Sequence, residues 1–140
     1  MVAVISCSHF PDDERIYHRE ISALHEKNYV IKYFTLSDLK TNLSQPGIDH
    51  KNYDLSKVTS DEYLECVEKD LIKEPPKVVH IHEPELFPVA IKMKKLFNTK
   101  IVYDVHEDYI SMIDTFSRLT WPLKNIKIKY WKYKDCLLYT

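Results

Sequence analysis

Residues 77–105, KVVHIHEPELFPVAIKMKKLFNTKIVYDV, decide the fold. Lys77–His82 (KVVHIH) is short, apolar and rich in β-branched residues, the form of a buried strand. Pro84–Phe97 has helical spacing, with Pro84 in the first turn, where its missing N–H goes unused anyway. Lys100–Val105 (KIVYDV) is strand-like again. A strand, a helix of this length and a second strand make a βαβ unit, whose strands run parallel.

The same alternation extends upstream. Val2–Ser6 (VAVIS) is a nearly continuous apolar run, which suits a strand buried on both faces. Asp12 or Asp13 can cap a following helix, in which Ile16, Glu20, Ala23 and Leu24, with Ile21 nearby, have helical spacing before Asn28 ends it. Tyr29–Thr35 (YVIKYFT) reads as the next strand. Leu36–Ser56 is polar, holds Pro46-Gly47, and is expected to be a long loop with one short strand near Tyr53. Ser60 is the expected cap of a helix through Tyr63, Leu64, Val67, Leu71 and Ile72, which Pro75-Pro76 terminates. The prediction is an α/β, doubly wound, Rossmann-like domain with a mainly parallel sheet.

Downstream, His106–Phe116 and Trp121–Lys134 are expected to be helical, and Cys136–Tyr139 (CLLY) to begin another strand. The 140 residues suit one domain, 1–140, expected to be cut short before a second one. The net charge of −1 argues against a nucleic-acid partner. It conceals an asymmetry: residues 121–140 hold five Lys against Asp135 alone. Cys7, Cys66 and Cys136 are odd in number and far apart, which favours a reducing cytoplasm, and no signal peptide or membrane span is visible. Trp121, Tyr130, Trp131 and Tyr133 with the lysines of 121–134 could lay a helix on an anionic inner membrane face, although a packed helix with a solvated lysine face explains them better.

Gly47 is the one glycine in the chain. Neither a GxGxxG turn nor a GxxxxGK[ST] loop can therefore be built, and any nucleotide phosphates must be held by another domain.

In an open parallel sheet, ligands bind beyond the carboxyl ends of the strands, which gathers three loops into one crevice. These are His9–Arg15, His82–Glu85 and Asp104–Asp108. Carboxylates beside imidazoles suit sugar hydroxyls, which both donate and accept, and suit removal of a proton from an acceptor hydroxyl. Asp104 and His106 are the catalytic candidates, because polar groups ending an apolar strand are costly unless they pair or act. His9, Asp13, Arg15, His82, Glu83, Glu85, Glu107 and Asp108 are candidates for substrate binding. Helix capping explains Asp13, Glu83 and Glu85 equally well, and His80 reads as a core or rim residue. A metal held by His82-Glu83 with His106-Glu107-Asp108 has no HxxxH or HExxH spacing behind it, so no metal is expected.

Taken together, HFPDDERIYHREISALHEKNYVI, VVHIHEPELFPVAIKMKKLF and IVYDVHEDY resemble the N-terminal domain of glycosyltransferase family 4, with Leu36–Lys57 unmatched. The resemblance implies one half of a GT-B architecture of two facing Rossmann-like domains. It implies metal-independent transfer, with retention, from a nucleotide-sugar to a saccharide or lipid-linked acceptor in polysaccharide or glycolipid biosynthesis. The acceptor would lie largely on this domain, and a C-terminal domain would hold the donor nucleotide, so no cofactor is expected here. By similarity, His106 matches the histidine that contacts the donor sugar, and the His9–Arg15 loop stands where other members have a glycine-rich loop. The competing reading is a non-catalytic, flavodoxin-like binding or regulatory module, in which Asp104 would be the phosphorylatable residue. A metallohydrolase is a third.

Overall fold

The computed structural model describes residues 1–105, 125 and 128–130. The chain divides into two compact units, Met1–Asp104 and Val105–Thr140. In the second unit, Asn125 and residues 128–130 are helical. The expected helix over 106–116, the strand over 136–139 and the rest of the lysine-rich helix lie outside the described residues.

Unit one begins with strand β1 (Val2–Ile5), whose four side chains are all buried. That is what a strand covered on both faces requires. Strands β2 (Ile31–Leu36), β3 (Ile48–Tyr53), β4 (Val78–Ile81) and β5 (Lys100–Tyr103) join it in the order β3-β2-β1-β4-β5. Every pairing is parallel. The doubly wound α/β fold expected from the alternation is therefore present. Successive strands step outward from β1 in one direction and then continue on its other side, so the switch in strand order lies between β1 and β4.

Helix α1 follows β1 and has two parts, a π-helical stretch Glu14–Ile21 and an α-helical turn Ser22–Glu26. Asp13 caps it, its carboxylate accepting from the backbone N–H of Arg15 and Ile16 at 2.9 and 3.0 Å. The wider π-turn brings residues five apart onto one side. Ile16 and Ile21 are accordingly both buried against Val2, Val4, Ile31, Tyr33 and Ile48. Burial of each isoleucine contributes roughly 1.5–3 kcal/mol. Asn28, in the left-handed region at φ 60°, ends the helix.

Helices α2 (Ser60–Lys73) and α3 (Phe87–Phe97) pack on each other and reach the strands through ring contacts, Tyr63 on Tyr53 and Phe87 on Tyr103. A short 3-10 turn, Pro84–Leu86, leads into α3, and Asn98 at φ 54° closes it. The cap of α2 is Thr59 rather than Ser60: Thr59 Oγ1 accepts from the Glu62 N–H while Glu62 accepts from the Thr59 N–H. The reciprocal bond selects Thr59, since Glu62 stands three residues after it.

One expected loop contains a full edge strand. β3 pairs with β2 over six residues, from Ile31 beside Ile48 to Leu36 beside Tyr53. Its sequence, IDHKNY, carries little apolar alternation because only Ile48 and His50 are buried. Gly47 precedes it at φ 89°, and a Cβ there would lie 3.2 Å from the His25 ring. No helix among the described residues is long and apolar enough to cross a membrane.

Candidate functional site

The loops after β1 and β4 are stitched together by Glu83. Its side chain is 1% exposed. Its carboxylate accepts from Ser6 Oγ at 2.8 Å, Cys7 N at 3.1 Å, Ser8 N at 3.0 Å and Ser8 Oγ at 2.9 Å. A buried carboxylate satisfied in this way holds the start of the His9–Arg15 loop against the end of β4. His9 extends the link, with Nε2 3.8 Å from Glu83 and Nδ1 3.6 Å from Asp13. Burial, reinforced by the charges of Glu83 and Glu85, pushes the Cys7 thiol far above its usual range, so this cysteine stays protonated.

A second cluster lies where α1 crosses β4 and the end of β5. In the sheet register, Val4 sits beside Tyr33 on one side and His80 on the other, and His80 sits beside Val102. Val4 and Tyr33 belong to the core under α1, so His80 lies on the same sheet face. His82, two residues on, lies on that face too, and the two rings are 4.5 Å apart. Glu20 enters from α1, with Oε2 3.7 Å from His80 Nε2 and 3.6 Å from His82 Nε2. Asp104 enters from the end of β5, with Oδ2 3.8 Å from His82 Nδ1. Arg15 closes the group, donating to Asp104 Oδ1 at 2.6 Å and lying 3.5 Å from Glu20 Oε1.

The electrostatics follow from the crowding of two carboxylates. Burial, and then the neighbouring Asp104, raise the Glu20 carboxyl to about 7, against a smaller downward pull from Arg15. A carboxyl in that range exchanges a proton near neutrality, as a general base must.

Of the residues expected from sequence, His9, Asp13, Arg15, His82, Glu83 and Asp104 come together at this end of the sheet. Glu85 is exposed on the short turn before α3. His106, Glu107 and Asp108 lie outside the described residues. Glu20 and His80 were not among the expected site residues. Glu20 occupies a position that α-helical periodicity assigns to the apolar stripe, and a charged residue on such a stripe is the signal that could have marked it.

No protein-family profile, no curated protein and no solved structure matches this chain.

Proposed function

We propose that this chain is the acceptor-side, Rossmann-like domain of a retaining glycosyltransferase, working with a C-terminal domain that holds the nucleotide-sugar. The observation that carries the reading is the contact between loops: Arg15 after β1, His82 after β4 and Asp104 after β5 meet within hydrogen-bonding or ion-pair distance. They do so beside the switch in strand order, where α/β sheets bind ligands.

A saccharide hydroxyl needs a donor and an acceptor at once, and the cluster offers both. Arg15 supplies donors, Asp104 and Glu20 supply acceptors, and the imidazoles supply either. Glu20, poised near neutrality, is the group suited to take the proton that an acceptor hydroxyl loses as the glycosidic bond forms. The single glycine supports the division of labour, since a phosphate-cradling loop is beyond this chain. A saccharide or lipid-linked acceptor and a cytoplasmic setting, at the inner membrane face where the acceptor is lipid-linked, belong to the same reading.

The test is saturation-transfer NMR of the purified chain with a panel of oligosaccharides, repeated on Asp104→Asn. Saccharide signals that weaken in the variant are expected, with no sugar transfer from any nucleotide-sugar. Absence of saccharide binding, or unaided transfer by this chain, would overturn the proposal.

A further inference from the structure

We infer that Glu20, His80, His82 and Asp104 form a site for a first-row divalent cation of the zinc type, which clamps helix α1 onto strands β4 and β5. The inference stands on the donor atoms, and it shares Glu20, His82 and Asp104 with the proposed acceptor site.

The four residues each turn one donor atom into a common space, and all four atoms lie within 4.8 Å of one another. Two imidazole nitrogens with two carboxylate oxygens are a donor set that zinc and its neighbours accept, whereas calcium and magnesium prefer oxygen alone. Ideal tetrahedral bonds of about 2.0–2.1 Å put donors about 3.4 Å apart. The pairs from Glu20 Oε2 to the two histidines, at 3.7 and 3.6 Å, are close to that spacing already.

The surroundings orient the set. Arg15 takes the other oxygen of each carboxylate, Asp104 Oδ1 and Glu20 Oε1, so that Oδ2 and Oε2 face the imidazoles. Carboxylates held from behind in this way are pre-aimed at a ligand. With both carboxylates ionised they outnumber the one guanidinium beside them, which favours a cation there.

The ligands come from three separate stretches of chain: Glu20 from α1, His80 and His82 from β4 and its end, Asp104 from the end of β5. An ion there ties the π-helical segment to the end of β4 and the end of β5. Its role is structural: with the ion bound, Glu20, His82 and Asp104 are ligands, so metal loading and acceptor binding at these residues are alternatives.

The experiment titrates Zn²⁺ into the metal-free chain while following histidine ring nitrogens by NMR, with calorimetry in parallel. The result expected is one equivalent bound, with the rings of His80 and His82 shifting together and those of His18 and His25 unmoved. Glu20→Gln and His80→Gln should each weaken binding by at least about tenfold, while His18→Gln should leave it unchanged. No binding, binding that shifts other histidines, or undiminished affinity in the two ligand variants would overturn the inference. Because the ring shifts are read on the unaltered protein, a variant that fails to fold does not decide the matter. Saccharide binding without zinc binding would remove this site and leave the acceptor proposal standing; the converse would do the opposite.

Discussion

Arg15 Nη2 and Asp104 Oδ1 meet at 2.6 Å although 89 positions separate them in sequence. The contact joins the first turn of α1 to the end of β5. Arg15 is half-exposed, its side chain being 48% accessible, so the energy is that of a surface pair reinforced by Glu20 rather than of a buried ion pair. In a double-mutant cycle with Arg15→Met and Asp104→Asn, urea unfolding should give a coupling of about 0.5–1 kcal/mol. It should shrink in about 1 M salt, where screening is short-ranged. Zero coupling at low salt would mean that the pair does not hold α1 to the end of β5.

Glu83 should matter more for stability than any other polar residue near the site. Glu83→Gln places an NH₂ where at least one of its N–H or O–H donors now points, leaving a buried donor without an acceptor. A loss of about 2–4 kcal/mol in unfolding free energy is expected. Amide exchange at Cys7 and Ser8 should accelerate with it. A loss under about 1 kcal/mol would show that the loop is ordered by something else.

His50 makes the fold sensitive to acid. Leu43 N–H donates to its Nδ1 at 3.1 Å, so Nε2 carries the proton and donates to Thr35 Oγ1 at 2.9 Å. Burial lowers its pKa below the usual 6.5, against a weaker upward pull from Asp49. The unfolded chain therefore binds the proton more readily than the folded one. Stability linked to this group is present above the unfolded pKa and declines as pH falls through it, until the folded value is passed. Urea unfolding across about pH 7 to 5 should show a steeper decline for the natural chain than for His50→Gln. Coincident slopes would refute the assignment, even though the variant is less stable overall.

The cap of α2 discriminates between adjacent residues. Thr59→Ala should cost about 1 kcal/mol, because it removes the Oγ1 that accepts from the Glu62 N–H, although the N–H of residue 59 can still donate to Glu62. Ser60→Ala, by contrast, should change the unfolding midpoint little. Equal effects would indicate that the helix starts one residue later.

Much of the fold was legible because its signals are local. The apolar runs of β1, β2, β4 and β5 and the periodic stripes of α2 and α3 depend on neighbours within a few positions. β3 was legible only as a short stretch near Tyr53, because an edge strand with two buried residues needs no alternation. Helix α1 was visible but not its π-helical winding, since the five-residue interval from Ile16 to Ile21 looks, on an α-helical wheel, like an imperfect stripe that includes Glu20.

For the site, the sequence by itself determined which residue types stand at the ends of the strands, and thus that His9, Arg15, His82, Glu83 and Asp104 belong to one region. It also determined that no phosphate loop can be built on a single glycine. Only the tertiary structure decided how they are divided. Glu83 is spent on ordering a loop, while His82 and Asp104 gather with His80 and Glu20. The physical reason is that β4 lies beside β1, with β2 and β3 on the far side, and a helix of wider turn rolls Glu20 toward β4. Strand order and helix winding are set by the packing of the whole sheet, which no local pattern encodes.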